Sequence, residues 1–170
     1  MFKVDEIFKD FKLSAMDAYT STDRLVNAWI YLNEDEPLVG EKPVGYNGPQ
    51  SSYQRLIQQN MYSSVDMLFL CFGDTVVNGS TGYTQLVMGD GDQPIHPGGL
   101  TNNDYLGYIV RDSRATNPNI KCLLTMGYNA GTLSRIFDFT GHTDQECANA
   151  FAQSTVQFLR EHNMDGLDFD

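Results

Sequence analysis

Four short β-rich runs, separated by stretches of helical pattern, are the strongest constraint on what this chain can fold into. They are RLVNAWIYL (24–32), SVDMLFLCF (64–72), NIKCLLTMG (119–127) and MDGLDFD (164–170). The middle two are almost continuously apolar, as parallel strands covered on both faces are. Helical segments fill the gaps: QSSYQRLIQQN (50–60), TNNDYLGYIVRDSRATNP (101–118) and HTDQECANAFAQSTVQFLREHN (142–163). Serines precede the first helix. Thr101 and Asp104 have capping-box spacing, with Asn117-Pro118 as a stop, and Thr143 and Glu146 form a second box. Cys147, Phe151, Ser154, Phe158 and Leu159 trace one helical face, and Asn163 suits a left-handed C-cap. Strands alternating with helices predict βαβ units and a parallel sheet.

Two parallel architectures compete. A doubly wound dinucleotide fold wants a GxGxxG turn after its first strand, and YLNEDEPLVG (31–40) has none. A (β/α)8 TIM barrel places chemistry at the C-terminal ends of its strands, where the fourth run carries its acids. The α/β barrel reading is preferred. Such barrels typically take about 250 residues, so residues 24–170 correspond to the first four strands and three helices, the N-terminal half. Residues 1–23 read as a helical extension, with Val4, Ile7, Phe8 and Phe11 at helix spacing. The glycine-, aspartate- and proline-rich excursion 73–100 reads as a loop over the active-site face, and Asp90-Gly91-Asp92 as an acidic solvated turn rather than a calcium site.

Composition narrows the partners. The chain has 11 basic and 22 acidic residues, net charge −11, and no cluster of Lys and Arg. Phosphate backbones and anionic membranes are therefore poor partners, and a neutral ligand such as a sugar fits better. No segment approaches the ~18 apolar residues of a membrane span, and the N-terminus lacks the apolar centre of a signal peptide. Cys71, Cys122 and Cys147 show no metal-ligand spacing, and no metal or cofactor is called for.

In a strand, residues i and i+2 face the same side. Asp168 and Asp170 therefore point together into the barrel, roughly 7 Å apart, while Leu167 and Phe169 point to the helix layer. Two inward carboxylates are costly unless they are paired, protonated or used, and at a barrel mouth they mark function.

Asp165-Gly166-Leu167-Asp168-Phe169-Asp170 resembles the fourth-strand DxxDxDxE signature of glycoside hydrolase family 18, the chitinase and endo-β-N-acetylglucosaminidase family. FLCFG (69–73) is similar to the family's second-strand segment, and CLLTMGYN (122–129) stands in place of its third-strand SxGG motif, with Thr125 for the Ser, Gly127 for the first Gly and Tyr128 at the second. The resemblance implies retaining cleavage of β-1,4 bonds in chitin or chito-oligosaccharides, with the substrate's N-acetyl oxygen as nucleophile, an exception to the two-carboxylate scheme. It further implies that Asp170 orients the acetamido group and that Asp168 shares a proton with it. Asp165 and Gly166 would be structural in the motif, and Phe72, Gly127 and Tyr128 would line the sugar site. The proton-donor Glu would lie two positions beyond Asp170, past the last residue of this sequence. Other implications are an extracellular protein whose partner is the C-terminal half of the barrel, with residues 1–170 inactive alone. A silent chitin-binding lectin and an N-glycan endoglycosidase are the alternatives; the intact Asp168/Asp170 pair favours the enzyme, since a binding protein gains nothing from buried like charges.

Overall fold

The computed structural model describes residues 24–32, 42–127 and 130–169. The helix read over 1–23, and the site candidates Tyr128 and Asp170, lie outside the described residues. Strands β1 (Asn27–Tyr31), β2 (Met67–Val77), β4 (Lys121–Met126) and β5 (Gly166–Phe169) lie side by side in that order, every neighbouring pair parallel. A further strand, β3 (Thr84–Met88), runs antiparallel to the far end of β2. Helices α1 (Ser52–Gln58), α2 (Asn102–Thr116), a short α3 (Ala130–Ser134) and α4 (Asp144–Glu161) occupy the connections.

The register sorts the side chains into two faces. Ile30, Leu70, Leu124 and Leu167 stand in one row across the four parallel strands. All four belong to or pack on the core, against Leu106, Ile109 and Val110 of α2 and Phe151 and Leu159 of α4. Each such side chain contributes about 1.5–3 kcal/mol when fully buried. The next row, Tyr31, Cys71, Thr125 and Asp168, faces the other way, towards the interior of the curving sheet. Trp29 lies on that side as well, stacked on Phe69 with ring centroids 4.8 Å apart.

The helix ends follow the local chemistry. Thr101 accepts the Asp104 amide at 3.1 Å and the Asp104 carboxylate accepts the Thr101 amide at 2.8 Å; Thr143 and Glu146 do the same. These bonds hold both carboxyls below their usual range. Helix α4 ends in a Schellman arrangement. Asn163 takes φ +54°, its amide reaches the Arg160 carbonyl at 3.2 Å, and the Met164 amide reaches Leu159 at 2.7 Å.

Two features differ from the sequence reading. Residues 73–100, read as one loop, begin with a β-hairpin: Gly73–Val77 pair with Thr84–Met88 across a turn at Asn78. Val77 opposite Thr84, both β-branched, closes the ladder at that turn, and the strand pairing outweighs the glycines around it. The segment after β4 also folds, into α3 and a 3₁₀ turn at Arg135–Phe137, where the sequence pattern predicts no element. Further along, Asp90 and Asp92 are exposed in a turn, with Asp90 at φ +52°.

Aromatic rings tie α1 to α2. Tyr46 stacks on Tyr53 at 4.8 Å, Tyr105 meets both edge-on, and His96 stacks on Tyr105 at 3.7 Å. The buried hydroxyls have partners: Tyr46 donates to Asp112 at 2.9 Å and Tyr53 to the Tyr31 carbonyl at 2.7 Å. The second bond pins the C-terminal end of β1, beside which the candidate site forms.

Candidate functional site

Asp168 sits near the C-terminal end of β5, opposite Thr125 on β4. Thr125 is fully buried, and its hydroxyl donates to Asp168 Oδ2 at 3.1 Å. Among the described residues no Lys or Arg pairs with this carboxylate. A half-buried carboxylate that accepts a neutral hydroxyl from the described residues can also accept a ligand hydrogen bond or stabilise a developing positive charge.

Asp165, three residues earlier, has a different setting. Its Oδ2 accepts the Cys122 amide at 2.9 Å and Arg114 at 2.8 Å, while Lys121 lies 3.4 Å from Oδ1. The Asp165 amide in turn donates to the Cys122 carbonyl at 2.8 Å. This carboxylate binds the base of β4 to the end of α2, at the opposite end of β5 from Asp168. Gly166 follows as the first residue of β5, paired with Leu123.

The wall beside Asp168 comes from the central strands. Between Cys71 and Gly73 the register of β2 against β4 slips by one residue, and Phe72 occupies the irregularity, preceded by a cis peptide bond. Its ring meets Tyr31 edge-on at 5.4 Å. The Gly127 amide donates to the Gly73 carbonyl at 3.2 Å, and a Cβ at Gly127 would stand 3.8 Å from the Phe72 Cβ. The fold thus brings Phe72 and Gly127 together at the ends of β2 and β4, next to the strand carrying Asp168. Tyr31 is the member of this group that the sequence reading did not single out. Its parity with Trp29 in NAWIY was the available signal.

A separate cleft of about 680 Å³ opens between the hairpin and α4, lined in part by Gln85, Asp92, Asn103, Arg135, Gln157 and His162. Burial pushes the His162 imidazole below its usual range, with Glu161 and Asp92 opposing the shift. None of the Asp168 row borders this cleft. Among the described residues no group of three or more His, Cys, Asp or Glu side chains could hold a metal ion, and no helix is long and apolar enough to cross a membrane.

No protein-family model matches the sequence, and no curated protein matches it. Solved structures do. A glycoside hydrolase family 18 chitinase, ChiB of Flavobacterium johnsoniae, superposes with TM-score 0.51 at 17% identity over 88% of this chain and 37% of its own. Human YKL-39, described as a pseudo-chitinase with retained chitooligosaccharide binding, superposes with TM-score 0.55 at 16% identity over 87% of this chain and 32% of its own. A family 18 N-acetylglucosaminidase from Paenibacillus barengoltzii gives TM-score 0.50 at 17% identity, over 87% of this chain and 31% of its own. The fold is therefore that of part of a glycoside hydrolase family 18 (β/α) barrel. The chain spans about a third of the length of these structures.

Proposed function

We propose that this chain is the N-terminal part of a family 18 glycoside hydrolase that cleaves β-1,4-linked N-acetylglucosamine polymers. The observation behind this reading is Asp168: inward-facing at the mouth of the fourth parallel strand, bonded to Thr125, and lacking the cations that neutralise Asp165. Its place in Asp165-x-x-Asp168-x-Asp170 agrees with the family's motif. In the proposed reaction the acetamido carbonyl oxygen of the sugar attacks its own anomeric carbon, forming an oxazolinium ion. The leaving glycosidic oxygen takes its proton from a glutamic acid two positions past Asp170. Water then opens the oxazolinium with retention and returns a proton to that glutamate. Asp170 orients the acetamido nitrogen, Asp168 shares a proton with Asp170, and Phe72 and Gly127 border the sugar. The remaining strands of the barrel supply the rest of the cleft, and the protein acts outside the cell.

The test compares Asp168→Asn and Asp170→Asn in the full-length protein, by hydrolysis of a labelled N-acetylglucosamine trimer and by calorimetric binding of the tetramer. Both variants should lose turnover much more than affinity, because these carboxylates act on charge that develops in the transition state. Turnover of Asp170→Asn within about threefold of wild type would contradict the assigned role. A binding-only reading stands beside the hydrolase because YKL-39, similar in fold, is a pseudo-chitinase that retains chitooligosaccharide binding. Tetramer binding without hydrolysis would select it.

A further inference from the structure

The β2–β3 hairpin is fastened to the segment that leaves β4. Thr75, 2% exposed, donates its hydroxyl to the Thr132 carbonyl at 2.8 Å. From the other hairpin strand, Thr84 donates to the Arg135 carbonyl at 2.7 Å. Arg135 Nη1 returns to the Thr75 carbonyl at 3.1 Å and stands 3.6 Å from the Asp74 carboxylate. One residue before, the Gly73 carbonyl accepts the Gly127 amide. The chain beyond β4 is thus held at Gly127, Thr132 and Arg135 by three successive residues of one strand.

Helix α3 has only 5 residues, far too few to be rigid by its own hydrogen bonds. Its placement depends on these attachments together with the burial of Ile136 in the core. The Thr75 hydroxyl is a specific choice as well. Val76 and Val77 follow it, and valine would suit a buried strand position of the same shape. A threonine there satisfies the Thr132 carbonyl, which valine would leave without a donor.

We propose that Thr75, with Arg135, is a positioning residue for the sugar site. It sets where Gly127 stands relative to Phe72 and Asp168. The inference rests on the reading of that site as an N-acetylglucosamine oligosaccharide site, and it adds that the hairpin governs the site's shape without touching the ligand.

The experiment uses the full-length protein and the N-acetylglucosamine tetramer, with Thr75→Val, Thr75→Ser and Ser154→Ala. Ser154 accepts the Leu86 amide at 3.3 Å and so holds the same hairpin from the α4 side, away from the brace. Thr75→Val should weaken tetramer binding roughly tenfold, the scale of one unsatisfied buried carbonyl. Thr75→Ser should restore it, and Ser154→Ala should leave it within about twofold of wild type, since no bond to the β4 segment is lost. Wild-type affinity in Thr75→Val, no rescue by serine, or equal weakening in Ser154→Ala would each overturn the proposal. Amide exchange at Gly127 and Arg135 gives a second readout, which should quicken in Thr75→Val alone. If wild type binds no tetramer, the functional reading fails, and unchanged exchange would then overturn the brace on its own.

Discussion

Replacing Asp165 tests whether the first acid of the motif belongs to the framework. In Asp165→Ala the Cys122 amide loses its 2.9 Å acceptor, and Arg114 and Lys121 lose their counter-charge. An unsatisfied, largely buried amide costs about 1–3 kcal/mol. The ion pairs add little, because Asp165 is 27% and both cations 25% exposed, and pairs open to water are worth about 0.2–1 kcal/mol each. The alanine variant should therefore lose about 2–3 kcal/mol, which lowers the melting temperature by only about 2–3 °C in a full-length protein about three times as long as this chain. Asp165→Asn keeps an oxygen for the Cys122 amide and should lose only about 1 kcal/mol. Urea unfolding followed by circular dichroism, with Arg114→Met added to close a double-mutant cycle, separates the two contributions. Tetramer affinity should stay within about twofold of wild type, because Asp165 and Asp168 stand at opposite ends of β5. Equal losses for alanine and asparagine would refute the amide argument, and a selective loss of ligand binding would refute the framework assignment.

Two further outcomes concern titration and thiol access. His162 has its folded pKa depressed by burial, so its contribution to stability is complete above the ordinary histidine value of about 6.5. That contribution is lost as pH falls through the depressed value, and urea midpoints across about pH 5–8 should show a slope that His162→Gln flattens; an unchanged slope would mean that another group is responsible. Cys71, Cys122 and Cys147 are 4%, 0% and 2% exposed, and burial pushes the Cys122 thiol up. Peptide-resolved alkylation should label none of them quickly in the native state and all three in denaturant, and rapid native labelling of Cys122 would contradict the packing.

Local chemistry was legible in the sequence wherever neighbours along the chain decide the outcome. Both capping boxes, the left-handed Asn163 and the opposite facing of Leu167 and Asp168 follow from spacing alone. The hairpin was not, because glycines, aspartates and two prolines punctuate residues 73–100 and mask the paired runs GDTVV and TQLVM. Strand parity would also have set Phe72 beside Leu68 and Leu70, facing the helices. The one-residue slip after Cys71 turns it towards Tyr31 instead, and no spacing rule announces such a slip. The partners of Asp165 were equally hidden, since Arg114 lies 51 positions away and meets it only once α2 has packed.

The placement of the single tryptophan gives the chain a built-in optical probe. Trp29 is 58% exposed on the interior face, whereas Tyr46, Tyr53 and Tyr105 are sealed in the aromatic cluster that joins α1 to α2. Light absorbed at about 295 nm reaches the indole alone, so its emission reports on whatever lies against the concave side of the sheet. A shift of that emission to shorter wavelength marks coverage of the face. The near-ultraviolet dichroism of the stacked tyrosines, by contrast, follows the opposite layer. One sample thus yields two independent signals, one from each side of the same four strands.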